Sequence, residues 1–135
     1  GKGLRQRFFD NLPAFKKLTD RVQREAKSGF VKGLDGRKLT VRSEHAALNT
    51  LLQGAGSIVM KQALIVLNNK IAKHGYDAKF VANVHDEWQI ECSIDDAVDV
   101  GKLGVLALRE AGCMFKLNCP LDGAYKVGEN WSETH

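Results

Sequence analysis

The sequence predicts an α+β fold, long helices packed with a small antiparallel sheet. Three observations lead there. Apolar residues recur at three- and four-residue steps over positions 4–22 and again over about 44–73, the period drops to two over 79–93, and helical spacing returns from about 95 to 111. The chain has 135 residues, enough for one ordinary domain or a piece of a larger one, and its 44% hydrophobic and 27% charged content is that of a globular chain.

In the first stretch Leu4, Phe8, Leu12, Phe15, Leu18 and Val22 mark one apolar helical face. Pro13 lacks an N–H and clashes with the preceding turn, so two helices meet near Asn11 with Pro13 in the first turn of the second. Asp35-Gly36, between two short β-prone runs, predicts a hairpin, made basic by Lys32, Arg37, Lys38 and Arg42. The longest helix is expected over about 44–73, with Ala47, Leu51, Gly54, Ile58, Ile65 and Ala72 on its packed side, and with Gly54 and Gly56 allowing another backbone close.

Over 79–93, Phe80, Ala82 and Val84 alternate with Val81 and Asn83, and Trp88, Ile90 and Cys92 with Glu87, Gln89 and Glu91. Two strands joined at His85-Asp86, one face apolar and the other wet, fit this pattern. Ser93 and Asp95 signal the N-cap of a helix over about 95–111, and a last strand is expected near 123–127.

Twenty Lys and Arg against sixteen Asp and Glu leave a net charge of +4, which permits a polyanionic partner without demanding one. The longest uninterrupted apolar run, Ala63 to Leu67, is far below the roughly 20 residues of a membrane span, so no membrane partner is expected. Cys92, Cys113 and Cys119 fit no zinc spacing and are odd in number, so reduced, mostly buried thiols of a cytoplasmic chain are expected.

Two constellations carry chemistry. Val84-His85-Asp86-Glu87 places an ionised carboxylate at a tight strand connection, where a rigid sheet presents it as a Mg²⁺ site requires. Neighbouring strand positions face opposite ways, so Asp86 and Glu87 are not expected to share one ion equally. His45, Asn49 and Gln53, spaced i, i+4, i+8, form a helical stripe whose donors suit the recurring acceptors of a DNA minor groove. Taken singly, each has an ordinary reading, a polar turn or a solvated helix face.

Together these residues resemble the DNA polymerase I family (family A), most closely its short-tailed-phage replicative members. Val84-His85-Asp86-Glu87 resembles the family's motif C. His45-Ala-Ala-Leu-Asn49-Thr-Leu-Leu-Gln53 resembles its helix contacting the primer–template minor groove. Gly33-Leu-Asp-Gly-Arg-Lys38, Val41-Arg42-Ser43 and the Gly128-Glu129-Asn130-Trp131…His135 ending resemble it too, in matching order along the chain.

The resemblance implies a DNA-directed DNA polymerase working by two-Mg²⁺ catalysis on primer–template DNA and deoxynucleoside triphosphates. Asp86 would be one of two aspartates holding the metals, Glu87 an accessory carboxylate, and His85 a contact to the primer terminus. Asn49 and Gln53 would donate into the minor groove, with His45 where many bacterial members carry Arg, and Arg42 and Lys38 on phosphates. No counterpart of motif A, of the motif B fingers helix, of the thumb or of the exonuclease is found; Asp35, Asp77 and Asp122 lack a matching context. The expectation is therefore a C-terminal segment, residues 1–43 ending the fingers and 44–135 forming half of the palm. The rest of the enzyme would be supplied in cis or in trans. The alternative is a non-catalytic DNA-binding module that keeps the palm fold; a His-Asp phosphohydrolase is disfavoured because that pair would sit among helices.

Overall fold

The computed structural model describes residues 2–135. It is α+β, with two antiparallel hairpins and helices, and it divides into two compact units, residues 1–55 and 56–135.

In the first unit, α1 (Lys2–Asn11) and α2 (Pro13–Ala26) meet at Leu12, with Pro13 opening α2. Proline is tolerated there because the first-turn N–H has no intrahelical partner. The apolar face expected across both helices is buried only toward its end. Val22 is 1% exposed, but Leu4 is 73% and Phe8 51% exposed, since α1 meets little beyond the Phe8, Phe9 and Phe15 ring cluster at the helix junction. Strands β1 (Phe30–Lys32) and β2 (Lys38–Thr40) pair antiparallel, Val31 opposite Leu39. The connecting turn is held by Gly36 at φ +89° and a 2.6 Å Arg37–Asp35 ion pair. Val22, Ala26, Val31, Val41 and Ala47 form the core here. Leu39 rests on Gly54, where a Cβ would collide with its methyl group; the close approach is thus by a side chain, not a backbone, and Gly56 has nothing within 4 Å of such a Cβ.

The expected long helix begins as a 3₁₀ turn, Glu44–Ala46, capped by the Ser43 hydroxyl accepting from the Ala46 N–H, and continues as α3 (Ala47–His74). Ile65 (52% exposed) and Ala72 lie outside the packing, contrary to expectation. Ile58 is buried as expected, and from Val59 the buried positions run on through Ala63, Leu67 and Ile71 at four-residue steps. Apolar residues of this helix spread over more than one face, so sequence periodicity does not choose among them. By length and composition the helix over Glu44–His74 is long and apolar enough to cross a membrane, with a mean hydropathy of 1.4 in its most apolar window, although its longest uninterrupted apolar run is short. Ala63 and Leu67, however, are fully buried in the second unit's core.

That core lies between α3, the hairpin of β3 (Ala78–Val84) and β4 (Glu87–Cys92), and α4 (Ala97–Met114), with Leu67, Ile71, Val100 and Ala107 at its centre. A bulge at Val81 changes the alternation expected from sequence. Phe80 pairs with Ile90, but beyond the bulge Asn83 pairs with Trp88 and Ala82 with Gln89. Opposed residues share a face, so Ala82 and Val84 belong with Gln89 and Glu87 rather than with Phe80. Helix α4 starts two residues later than expected, after a turn in which the Ser93 hydroxyl donates to the Asp96 carboxylate at 2.7 Å and the Asp96 N–H to the Ser93 carbonyl. The strand expected at 123–127 is not formed: no other strand of the described residues lies alongside to supply a ladder. The chain closes with α5 (Trp131–Thr134). Cys92 is half-buried while Cys113 and Cys119 are exposed, so the thiols are less buried than expected.

Leu67 is fully buried, and truncation leaves a cavity that packed neighbours fill only in part. Leu67→Ala should cost about 2–5 kcal/mol of stability, read as a lower urea midpoint at unchanged slope.

Candidate functional site

Val84 pairs with Glu87, so His85 and Asp86 alone form the loop of the second hairpin. Such two-residue loops need a twist that favours positive φ, and His85 takes it, at φ +54°. A non-glycine residue there is uncommon, though His is among the better tolerated types. Both side chains are exposed and make no hydrogen bond or ion pair among the described residues. Asp86 is thus a carboxylate with free oxygens, fixed at the tip of a paired hairpin.

Glu87 is engaged. Its carboxylate accepts from the Gln89 amide and, at 3.1 Å, faces His135 Nδ1, while the Thr134 hydroxyl donates to Gln89 Oε1 at 3.0 Å. The Gln89 hydrogen bond, then His135 and Trp131, hold the Glu87 carboxyl below its usual range. These contacts tie the C-terminal turn to β4. Sequence reading named Glu87 but missed Gln89 and His135 as its partners, and Thr134 as the donor to Gln89; the signal for Gln89 was its i, i+2 spacing from Glu87 on one strand face.

A carboxyl whose pKa is lowered on folding stabilises the fold above its unfolded value and ceases to as pH falls through its folded value. The Trp131 indole NMR resonance should therefore show the C-terminal turn loosening on acidification below the ordinary carboxylate range, and Glu87→Gln should abolish that transition.

In the first unit, Asn49 and Gln53 occupy successive turns of α3, about 6 Å apart along the axis, both exposed with free amides. His45 is exposed too, but lies in the 3₁₀ turn, so the expected three-residue helical stripe is regular only for the latter two. Arg42 is exposed without a partner among the described residues. Lys38 places its ammonium 4.6 Å from the centroid of the Phe30 ring, a cation–π contact a stronger anion could displace. No group of three or more His, Cys, Asp or Glu side chains able to hold a metal gathers among the described residues.

Comparison with known proteins bears on this arrangement. The model for DNA polymerase family A matches residues 1–133. The DNA-directed DNA polymerase of Enterobacteria phage T3 is 38% identical over an alignment taking in all of this chain and 22% of that protein. The DNA polymerase I of Aquifex aeolicus is 35% identical over 96% of this chain and 23% of its own length. The chain spans about a fifth of the length of these curated relatives. Among solved structures, the polymerase domain of Pol1 from M. smegmatis, in complex with DNA primer-template and dNTP, superposes with a TM-score of 0.72 at 24% identity, covering 82% of this chain and 22% of that one. That likeness shows the fold.

Proposed function

This chain belongs to DNA polymerase family A, and from that premise we propose that it is the C-terminal segment of a DNA-directed DNA polymerase, residues 1–43 ending the fingers and residues 44–135 forming half of the palm. The observation that carries this reading is Asp86, an exposed carboxylate with free oxygens at the tip of a hairpin, in a chain the family model matches over residues 1–133. The relatives' names supply the activity, and the M. smegmatis complex supplies DNA and a nucleotide as the partners to test.

Mg²⁺ is the metal the family implies, and Asp86 fits it as one ligand of a shared site. Mg²⁺ prefers carboxylate, phosphate and water oxygens, usually with only one or two protein carboxylates, and here one free carboxylate is offered. The other would come from the polymerase segment this chain does not contain. When bound, a metal pair neutralises charge on the attacking and leaving oxygens of phosphoryl transfer. Glu87, engaged by Gln89 and His135, holds the hairpin to the C-terminal turn and contributes negative field beside Asp86. His85, at the positive-φ position of the turn, would contact the primer strand near its terminus.

The other side chains position DNA. Asn49 and Gln53, with His45 before them, donate to minor-groove acceptors that recur across base pairs, which gives contact with little sequence preference. Arg42 and Lys38 meet phosphates, which add affinity without sequence information. Primer–template binding by the assembled enzyme should weaken with salt, each phosphate that a basic side chain neutralises adding about −0.9 to the log–log slope. Gln53→Ala should weaken binding or alignment by about 1–3 kcal/mol, with Mg²⁺ dependence unchanged. Fluorescence-anisotropy titrations across a salt series check both; a salt-independent affinity unaffected by Gln53→Ala overturns the assignment.

A further inference from the structure

Residues 128–135 form a turn fixed by its own side chains. Helix α5 has four residues, too few to persist on intrahelical hydrogen bonds. Glu133 holds it: its carboxylate accepts from the Glu129 N–H at 2.8 Å and from the Asn130 amide at 3.0 Å. Gly128 makes the room, since a Cβ there would lie 2.7 Å from the Glu133 Cβ and 3.2 Å from the Thr134 methyl group. Gly128, Asn130 and Glu133 thus fix where Thr134 sits.

Thr134, Gln89 and Glu87 are all half-buried. The Thr134 hydroxyl has one proton and two acceptors in reach, Gln89 Oε1 at 3.0 Å and the Trp131 carbonyl at 3.2 Å. Gln89 bridges Thr134 and Glu87, its amide nitrogen donating to Glu87 Oε1. An ionised carboxylate only accepts, so the amide must turn its NH₂ edge to Glu87 and its oxygen away. That oxygen then meets the hydroxyl, which can donate to it. Without the hydroxyl the amide oxygen loses this partner, and the side chain is free to turn toward water. The amide is also neutral. A lysine or arginine at this position would aim the carboxylate too, but would offset its charge, whereas Gln89 leaves the negative field beside Asp86 intact.

We propose that Gln89 and Thr134 are positioning residues for nucleotide addition: the Thr134 hydroxyl orients the Gln89 amide, and the amide aims the Glu87 carboxylate beside Asp86. The proposal rests on the polymerase reading, and its test separates the two. In the assembled polymerase, Thr134→Val removes the hydroxyl at nearly constant shape. It should slow single-turnover nucleotide addition about 10-fold, with affinity for primer–template and nucleotide unchanged. Gln89→Met should slow it to the same extent, and Thr134→Ser, which keeps the hydroxyl, should restore the parent rate. In a Glu87→Gln background Thr134→Val should add nothing further, because its effect passes through the carboxylate. A loss of stability alone would act equally in both backgrounds. An equal effect in the two backgrounds, an unchanged rate in Thr134→Val or Gln89→Met, or a serine variant no faster than the valine one overturns the proposal. In this chain by itself, NMR should show the Gln89 side-chain amide protons exchanging with solvent about 10-fold faster in Thr134→Val than in the parent or Thr134→Ser. Equal exchange in all three also overturns it. That measurement needs no turnover, so an inactive parent assembly whose Gln89 amide is protected in this way counts against the polymerase reading instead.

Discussion

Purified alone, the chain should leave a primer unextended when given template, Mg²⁺ and all four deoxynucleotides. Two-metal transfer needs oxygens that clamp both attacking and leaving groups. Among the described residues no cluster of three metal-competent side chains is present, and Asp86 stands as a single free carboxylate at its turn. No helix with the family's nucleotide-binding pattern is legible in the sequence either. The expected result is no product above background, with activity appearing once the remaining segment is supplied. A gel-resolved extension assay with a radiolabelled primer measures it. Template-dependent extension by a clean preparation of this chain alone would contradict the half-site.

In the assembled enzyme, Asp86→Asn should slow nucleotide addition by several orders of magnitude, the scale of lost charge stabilisation in phosphoryl transfer. Asparagine keeps the size of the side chain, and the Asp86 side chain makes no hydrogen bond or ion pair among the described residues for the substitution to break. DNA affinity should hold or rise slightly, because a charge that repels phosphates has gone. Single-turnover rates at saturating primer–template separate the two effects. Normal rates once DNA saturates, with weakened binding, would make the carboxylate a structural group.

The fold was legible where local chemistry decides. Pro13 sets the junction of α1 and α2, Asp35-Gly36 lies in the first turn, and the period change over 79–93 announces the second hairpin. It was illegible where packing decides. The Val81 bulge changes which residues share a face, and no alternation pattern encodes where an extra residue will be left unpaired. Ile65 is expected inward but is 52% exposed, because the apolar residues of α3 are spread over more than one face. The stretch at 123–127 has a strand's sequence, but strand formation needs a neighbour that sequence does not reveal. Of the candidate site, Asp86, Asn49 and Gln53 were found from residue type and spacing, and all three are exposed with free polar groups. The Glu87–Gln89–Thr134–His135 linkage was missed because its members lie up to 48 positions apart.

If Asp86 holds a divalent metal, the most direct test is electron paramagnetic resonance titration of Mn²⁺ into the assembled polymerase bound to primer–template and nucleotide, with Asp86 and with Asp86→Asn. Mn²⁺ accepts the same oxygen donors as Mg²⁺ and is read without relying on turnover. The substitution should weaken Mn²⁺ binding about 100-fold or abolish one site, while DNA remains bound. Superimposable titrations of the two proteins would contradict metal binding by Asp86.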